Sequence, residues 1–448
     1  MDSFYKSRPW LEYAYRYARG SNLAPHGVVG AMLARMSALT PPNVVAQVTK
    51  HDSHMTLNIN VALVGTTGSG KGRTMGLAAR LLPTPPFGML EEVKPKTGES
   101  IPAKFVEKIP ATDGEGKPIK GEYVDKVLTD RCLLYLPEVV SLKAAMGRQG
   151  STILPTLLES FSNEPIGGDA QGHQYRIKVL PYAYRLSAVV GVQPSNAATI
   201  FDEAQTGLAG RFIYVSSVDV DMPMKPSPLP RGDFPFDTMR IPDGNGLDAI
   251  SAMLKNGGYD RMPDNGPDAR EGYPLISMSF PEQAEKDVNR LQVLGGRGGA
   301  DALDSHRGEL VARIAALLAL MDYRLEVNVE DWQIALAFMD MSDRVRDECL
   351  EQSRRSSIEL QAEQISMKRD AEEQADAQVT ERAKKRLLGL LDTLDPTREG
   401  ITERELQNKL SKPQRRVMDE ALADLYKGGF IDRRDGIGGG NIYSLSVG

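Results

Sequence analysis

A glycine-rich loop between a strand and a helix constrains the fold more than any other feature of the sequence. Residues 57–65 form the apolar run LNINVALVG, residues 65–71 form GTTGSGK, and the helical pattern MGLAARLL occupies residues 75–82. In an arrangement of strand, G-x-x-x-x-G-K loop and helix, backbone N–H groups and the helix N-terminus surround phosphate groups. The sequence therefore predicts a phosphate-binding loop within an α/β fold.

The first turn of the helix after this loop departs from the usual pattern at one position. Lys71 is expected to reach the β- and γ-phosphates of a nucleoside triphosphate. The next residue is Gly72, where a Ser or Thr usually binds magnesium, and whether Thr74 compensates stays open. The loop therefore predicts nucleotide binding and leaves the rate of hydrolysis undecided; a glycine-rich turn without a ligand is the alternative. The predicted binding residues are Gly65, Thr66, Thr67, Gly68, Ser69, Gly70, Lys71, Gly72, Arg73 and Thr74.

Two later apolar runs end in residues suited to hydrolysis. Glu138, at the end of LLYLPE, is placed to polarise an attacking water, although Pro137 replaces the usual Asp that holds the water shell of magnesium. The run VVGVQPSN ends in Gln193 and Asn196, and either side chain could hold that water. The alternatives are a helix cap for Glu138 and an ordinary strand exit for the other two residues.

Three arginines and a histidine are further candidates for the site. Arg211, after the segment GLAG, suits an arginine finger that reaches the γ-phosphate of a neighbouring subunit; a surface salt bridge is the alternative. Arg307 and Arg313 are candidates for a second phosphate sensor near a helical lid. His173 lies in a Gln-Gly-His turn and is a candidate tip of a DNA-contacting pore loop, with an exposed hairpin histidine as the alternative.

The composition is that of a folded protein. Hydrophobic residues make up 41% and charged residues 25% of the 448 residues, a length that suggests about two to four domains. The net charge of −6 excludes a uniformly basic nucleic-acid coat but allows a local basic face. Two distant cysteines cannot form a disulfide framework or a zinc site by themselves. Without a signal-like segment or a run of roughly 20 apolar residues, the sequence predicts a cytoplasmic protein.

Changes in composition divide the chain into predicted regions. Strands alternate with helices around the glycine-rich loop, which indicates a largely parallel sheet. Residues 345–385 are highly charged and contain no Gly or Pro, which indicates a long exposed helix or linker. The predicted regions are an N-terminal helical region (1–56), an α/β core (57–235), a helical lid region (236–343), a helical linker (344–379) and a C-terminal winged helix (380–448).

The C-terminal region has the composition of a small DNA-binding module. Its pattern predicts three helices and a β-wing, and Thr402 and Glu405 have the spacing of a capping box. From residue 380 onward there are 13 Lys and Arg against 11 Asp and Glu, a net charge of +2, compared with −8 for the rest of the chain. Positive charges at a helix start and on a wing suit phosphate contacts, so DNA binding is predicted, with protein contacts as the alternative. The candidate residues are Lys412, Arg415, Arg416, Arg433 and Arg434.

Taken in order, the motifs resemble those of the primase-associated, AAA+-like helicase ATPases of phages, plasmids and integrated elements. The order is GTTGSGKG, TGESIPAKFVE, LLYLPEVVSL, VVGVQPSN, GLAGRFIYV and RIAALLALMDYRLEVNVEDWQIALAFM. The resemblance extends over residues 10–341, and MCM-type replicative helicases are more distantly similar. It implies a P-loop NTPase core of AAA+ type. The roles that it implies are phosphate lysine for Lys71, catalytic acid for Glu138, sensor for Asn196 and trans-acting arginine for Arg211.

The resemblance also implies cofactors, partners and a function. ATP and Mg²⁺ are the expected cofactors; DNA, further copies of the chain in a hexameric ring and a separate primase or initiator are the expected partners. The expected function is an ATP-driven DNA motor, a replicative helicase of a phage or mobile element. The alternative is a nucleotide-gated initiator, loader or scaffold that binds DNA without unwinding it. Gly72 and Pro137 favour this alternative, whereas the complete order of sensor and finger motifs favours the motor.

Overall fold

The chain forms two compact units, Met1–Arg355 and Ser356–Gly448. The helix Val329–Leu394 contributes residues to both. The computed structural model describes residues 3–49, 54–85, 90–94, 98–147, 151–168, 177–201, 207–241, 261–262, 275–299, 301–436 and 440–446.

Helices and strands alternate through most of the first unit, which confirms the predicted mixed α/β fold. The helices are α1 Ser3–Lys6, α2 Pro9–Gly20, α3 Pro25–Leu39, α4 Lys71–Leu81, α5 Pro102–Phe105, α6 Val139–Met146, α7 Ile153–Ser162, α8 Ala198–Phe201, α9 Glu282–Gly296, α10 Arg307–Met321, α11 Val329–Leu394, α12 Glu403–Lys409, α13 Lys412–Arg416 and α14 Met418–Lys427. The strands are β1 Val44–Ala46, β2 Met55–Thr56, β3 Asn60–Val64, β4 Leu90–Val93, β5 Val106–Thr112, β6 Pro118–Val127, β7 Arg131–Leu136, β8 Ile166–Gly168, β9 Ile177–Val179, β10 Arg185–Val192, β11 Phe212–Ser216, β12 Arg261–Met262, β13 Leu275–Met278, β14 Ile401–Thr402, β15 Ile431–Asp435 and β16 Asn441–Leu445.

Five parallel strands form the central sheet, in the order β11-β3-β10-β7-β4. Strands β3, β7, β10 and β11 coincide with apolar runs predicted as strands, and they are buried almost throughout. Strands covered on both faces are expected to be apolar along their whole length, which is why the sequence reveals them. Strand β4 escapes such a prediction because Glu91 and Glu92, in its middle, are exposed.

Helix α3 is buried on nearly every side against this sheet. It contacts β3, β10, β11 and α4, and all its residues except His26 are buried. Its spacing of Val and Met predicts a helix, but its polar residues are inside as well: the Ser37 hydroxyl donates to the Leu57 carbonyl oxygen (2.6 Å). The N-terminal helices and the sheet therefore share one hydrophobic core.

Within the described residues, three smaller sheets complete the first unit: the four-stranded sheet β12-β13-β1-β2 and the two-stranded sheets β5-β6 and β8-β9. Strand β1 pairs in parallel with β13 and antiparallel with β2, which brings residues 44–46 beside residues 275–278. Strands β5 and β6 form an antiparallel hairpin whose turn contains the segment GEGKP, where the sequence predicts an exposed hairpin tip or flexible loop.

One continuous helix replaces several predicted pieces. The sequence predicts a helix at 332–341, an exposed helix or linker at 344–379 and another helix at 387–394, but α11 spans all of them in 66 residues. The absence of Gly and Pro from residues 345–385 leaves no residue that would break it. Within the described residues, no helix is both long and apolar enough to cross a lipid bilayer.

The C-terminal unit packs short helices and a three-stranded antiparallel sheet around its own core. The sheet order is β14-β16-β15. The capping box is confirmed, because the Glu405 carboxylate accepts from the Thr402 N–H (3.1 Å) and the Thr402 hydroxyl accepts from the Glu405 N–H (3.4 Å). The segment from Lys412 onward, predicted as one helix, is divided at Val417 into α13 and α14. The core includes Leu387, Leu391, Leu406, Leu422, Ile431 and Tyr443.

Both cysteines are free and buried. Cys132 lies in β7 and Cys349 in α11, within the same hydrophobic cluster. Burial raises the pKa of both thiols, that of Cys349 to about 12. At neutral pH both side chains are therefore protonated thiols.

Candidate functional site

The glycine loop between β3 and α4 keeps its path through backbone conformation and contact with Ser217, the residue after β11. Gly68 and Gly70 have φ angles of +81° and +84°, which residues with a side chain rarely adopt. A Cβ atom at Gly65 would lie 2.1 Å from the Ser217 hydroxyl oxygen, so there is no room for a side chain at this position. The Ser69 hydroxyl hydrogen-bonds that of Ser217 (2.7 Å). The loop thus has a defined shape of its own.

The Lys71 side chain folds back over this loop. Its Nζ donates to the carbonyl oxygens of Gly65 (2.8 Å) and Thr66 (2.9 Å). Burial lowers the pKa of the Lys71 ammonium, and the negative charge of Glu138 partly offsets the effect. The ammonium and the carboxylate therefore act on each other across the space beside the loop.

The strand order brings the predicted groups to one edge of the sheet. Strand β10 lies between β3 and β7, and all three run parallel. Because parallel strands end at the same edge, the loop after β3, the turn after β10 and the acid after β7 emerge side by side. The Gly65 N–H also donates to the Val192 carbonyl oxygen (2.9 Å), which joins the loop to the end of β10. This edge carries Lys71, Asn196 and Glu138.

The structure defines the surroundings of the two hydrolytic candidates. Glu138 is exposed and lies at the N-cap position of α6, but its side chain makes no capping hydrogen bond. Glu138 therefore occupies the position of a helix cap but does not form the capping hydrogen bond. Asn196 lies in the turn Pro194–Asn196, where its N–H donates to the Gln193 carbonyl oxygen (2.9 Å). The side chains of Gln193 and Asn196 are half-buried, so both stay candidates for holding a water.

Sequence reasoning missed Gly191, the second-last residue of β10. A Cβ atom at this position would lie 1.9 Å from the Pro137 carbonyl oxygen and 3.4 Å from the Lys71 Cδ. Because glycine has no side chain, Pro137, which follows β7, and Lys71 can both approach β10 closely at this position. A glycine inside an apolar strand is the sequence signal for such an approach.

We expect Gly191→Ala to destabilise the first unit by roughly 1–3 kcal/mol, because the added methyl group must displace the Pro137 carbonyl. It should also weaken nucleotide binding, since Lys71 and the acid after Pro137 would move apart. Denaturant unfolding and ATP titration measure the two effects.

Gly76→Ala is the matched control. This α4 glycine is exposed and has no neighbour within 4 Å of an added Cβ, so the substitution should stabilise the protein by up to about 1 kcal/mol. If the two variants have the same stability and the same ATP affinity, the close approach at Gly191 is contradicted.

The first turn of α4 does not replace the missing hydroxyl. Thr74 is 0% exposed, and its Oγ1 has no hydrogen-bond partner among the described residues. The Thr74 hydroxyl is therefore not accessible to a ligand at the loop. Arg73 is exposed and donates to the Ser21 carbonyl oxygen, and Thr67 is exposed at the loop surface.

Arg211 and Arg313 lie at the opposite edge of the sheet from the glycine loop. Arg211 directly precedes β11, whose first residue pairs with Asn60 at the start of β3. Five residues of strand, roughly 16 Å, separate that point from Gly65. Arg313 is 1% exposed and donates to the Asn58 carbonyl oxygen (2.6 Å), before the same strand begins. Within one protomer neither guanidinium reaches a phosphate at the loop.

The two arginines share neighbours at this edge. Their Cζ atoms lie 5.7 Å (Arg211) and 3.7 Å (Arg313) from the centre of the Phe161 ring. Glu309 pairs with Arg313 at 3.3 Å, and its charge also acts on Arg211. Burial lowers the pKa of both guanidinium groups, that of Arg313 to about 10. Arg313 therefore has a packing role in its own protomer and is not a second phosphate sensor for its own loop.

Arg307, the other sensor candidate, is held by acids of α11. Its nitrogens lie 2.6 Å from Asp340 and 2.9 Å from Asp343, which fixes the start of α10 to α11. These ion pairs give Arg307 a structural role that does not involve a phosphate.

A cavity of about 820 Å³ adjoins the start of the glycine loop. This volume is typical of sites for small molecules. Its walls come from α2, α3, the residues after β11 and α11, together with Gly65 and Thr66. Sequence reasoning treated the aromatic N-terminal segment as helix only and did not predict a cavity there. Polar and aromatic lining residues include Tyr15, Arg19, His26, Asp219, Arg344 and Glu348.

The charged groups of this cavity are arranged by contacts within it. Arg19 pairs with Asp219 at 2.5 Å, and its Cζ lies 5.7 Å from the centre of the Tyr15 ring. The His26 Nδ1 accepts from the Ser216 N–H (3.4 Å), and burial lowers the pKa of its imidazole to about 4. His26 is therefore neutral at physiological pH and carries its hydrogen on Nε2.

The predicted DNA-binding residues of the C-terminal unit lie on its surface. Lys412, Arg415 and Arg416 are exposed on α13, although the Arg415 Nε donates to the Leu410 carbonyl oxygen (3.0 Å). Arg433 and Arg434 are exposed on β15, and Arg434 donates to the carbonyl oxygen of Glu399. His173 lies outside the described residues.

The site is thus an edge with a glycine loop, a lysine, an acid and a polar turn, and beside it a cavity large enough for a small molecule. In the described part of the chain, no group of three or more His, Cys, Asp or Glu residues could hold a metal ion. No family model matches the chain, and no curated protein matches it.

Proposed function

We propose that the chain binds ATP at the glycine loop and hydrolyses it with Glu138 as the general base. The observation that supports this most directly is the position of Lys71 inside the loop, close enough to Glu138 for their charges to interact. Backbone N–H groups and the ammonium would offset phosphate charge, while the carboxylate would accept a proton from an attacking water. Asn196 or Gln193 would orient that water. Bound ATP would supply the γ-phosphate that is transferred to it.

The cavity beside the loop supports the same proposal at the nucleoside end. It begins at Gly65 and Thr66 and is lined by the Tyr15 ring and by the Arg19–Asp219 pair. An aromatic face suits a base, and the acid suits the ribose hydroxyls, which donate hydrogen bonds. These residues therefore support binding of a nucleoside at this end of the proposed site.

We propose that the active form is a homo-oligomer, a hexameric ring. Arg211 precedes β11 at the edge opposite its own loop, so it could act on a nucleotide only in a neighbouring subunit. This position supports the role of an arginine finger supplied in trans.

We further propose that the ATPase is a DNA motor, a replicative helicase of a phage or mobile element that acts with a separate primase or initiator. The C-terminal unit supports DNA binding: its helices and antiparallel sheet have the element order of a winged helix, with exposed cations on α13 and β15. The test is ATP-dependent strand displacement on a forked DNA, with phosphate release measured at the same time. Displacement together with DNA-stimulated release is the expected result.

A second function is favoured by one observation, the lack of side-chain oxygens at Gly72 and Pro137. A slowly hydrolysing, nucleotide-gated initiator or loader would bind both ATP and DNA and would not need rapid turnover. The forked substrate separates the two proposals. ATP-dependent DNA binding without strand displacement, and with phosphate release that DNA does not change, would identify the loader and exclude the motor.

We expect the double variant Lys412→Ala, Arg416→Ala to bind DNA at least about tenfold more weakly, with a salt-dependence slope lowered by about 2, because two phosphate contacts are lost. Fluorescence anisotropy across a salt series measures both quantities. Lys368→Ala, Arg369→Ala is the matched control: it removes the same charge from exposed positions of α11 and should leave the slope unchanged. If the first variant keeps its DNA affinity but no longer assembles, the C-terminal unit is a protein-docking module.

A further inference from the structure

The glycine loop and the acid strand do not provide the side-chain oxygens that usually hold magnesium in a P-loop NTPase. Those ligands are a Ser or Thr directly after the lysine and an Asp on the acid strand. Here the positions are Gly72 and Pro137, and the nearest hydroxyl on α4, that of Thr74, is fully buried. The Pro137 carbonyl oxygen is turned against Gly191. The residues at these positions therefore do not fit a protein-bound magnesium ion.

The Tyr135 hydroxyl lies close to the position of the missing side chain. A Cβ atom at Gly72 would be 3.9 Å from the Tyr135 hydroxyl oxygen, and among the described residues beyond its own helix turn no other atom would lie within 4 Å. Tyr135 is in β7, two residues before Pro137, which follows the end of the strand. The phenol ring thus spans from the acid strand to the first turn of α4.

This hydroxyl is available to a ligand. Tyr135 is half-buried, and its hydroxyl makes no hydrogen bond within the described part of the chain. Burial raises the pKa of the phenol, so the group keeps its proton at neutral pH and can donate. A donor beside the lysine and the loop N–H groups suits a phosphate oxygen.

We propose that the Tyr135 hydroxyl donates a hydrogen bond to the phosphate end of the nucleotide at Gly72, and that ATP binding does not require a divalent cation. The inference rests on the proposed nucleotide site and specifies how that site recognises phosphate. The alternative is that the ring only packs against the hydrophobic core around Leu133, which its partly buried position also allows. Removing the hydroxyl alone separates the two, because a phenylalanine ring would pack in the same way.

The experiment is calorimetric titration of the full chain with ATP, in excess Mg²⁺ and in excess EDTA. The unaltered chain should bind with affinities that differ by less than about threefold between the two conditions. Tyr135→Phe should bind about tenfold more weakly in both, as expected for one lost hydrogen bond to a charged group. Adding Gly72→Ser to Tyr135→Phe should restore affinity in Mg²⁺ but not in EDTA, because the new side chain has room and supplies the usual ligand.

Lys71→Ala separates failure of this inference from failure of the nucleotide site. If the unaltered chain does not bind ATP, or binds it equally well without Lys71, the proposed nucleotide site is wrong. If binding depends on Lys71 but is lowered more than about threefold by EDTA, or is unchanged in Tyr135→Phe, the role of Tyr135 is wrong and the site stands. Thermal unfolding of Tyr135→Phe, expected to match that of the unaltered chain, ensures that the loss of affinity is not a loss of fold.

Discussion

Replacing Lys71 by Ala is expected to lower ATP affinity by about a hundredfold or more. The ammonium would make charge-assisted contacts to two phosphates, each worth about 1.5–3 kcal/mol. Its removal would also leave the carbonyl oxygens of Gly65 and Thr66, which now accept from Nζ, facing the phosphates without a cation between them. The fold should persist, because partial burial lowers the pKa of Lys71 and the charged form therefore contributes little to stability. Titration with ATP and denaturant unfolding measure the two properties.

Glu138→Gln is the matched comparison at the same edge. Glutamine retains the shape of the side chain and loses the base, so ATP should bind with nearly the affinity of the unaltered chain while phosphate release falls by about a hundredfold or more. If the variant hydrolyses ATP at the unaltered rate, Glu138 is not the general base and is only the N-cap residue of α6. Unchanged binding and hydrolysis in a folded Lys71→Ala protein would contradict the phosphate-loop assignment itself.

Arg211→Ala is expected to bind ATP nearly normally and to hydrolyse it about a thousandfold more slowly, as for loss of an arginine finger. The two parts of this expectation have the same physical origin. The guanidinium lies at the edge opposite its own loop and so contributes nothing to binding within its protomer. In a ring it would offset the charge that develops on the γ-phosphate of the next subunit.

Mixing Arg211→Ala with Lys71→Ala tests whether the site is shared. Each variant should be inactive alone, but some mixed interfaces combine an intact Lys71 with an intact Arg211 from the neighbour. Part of the ATPase activity should therefore return, measured as phosphate release against the mixing ratio. Mixed rings that form, as judged by mass, and stay inactive would exclude the trans role. Arg313→Lys is a useful control, since Arg313 is bonded within its own protomer and its loss should appear as lower stability.

The sequence predicts the α/β core well because its strands are covered on both faces. Strands β3, β7, β10 and β11 must be apolar along their length, and the glycine loop follows directly from a strand. Local patterns of this kind need no knowledge of distant residues. The same holds for the capping box at Thr402, whose partner is three residues away.

What the sequence does not predict depends on contacts between distant segments. Gly191 matters because the Pro137 carbonyl is beside it. The sequence of β10 alone does not indicate where the neighbouring strand β7 ends. Arg211 and Arg313 are far apart in sequence, yet both pack against Phe161, so neither appeared as part of a cluster. The cavity beside the loop is assembled from segments that lie far apart in the sequence. Contacts between distant segments, and cavities between them, are determined by the whole fold and not by local sequence patterns.

The two buried thiols make the chain a suitable host for site-directed labelling. Maleimides react with the thiolate, and burial keeps Cys132 and Cys349 protonated and shielded at neutral pH. A cysteine introduced at an exposed site, such as Thr67 on the loop or Arg433 on β15, would therefore be modified selectively without removing the natural cysteines. Fluorophores at such positions would report ATP and DNA arrival separately.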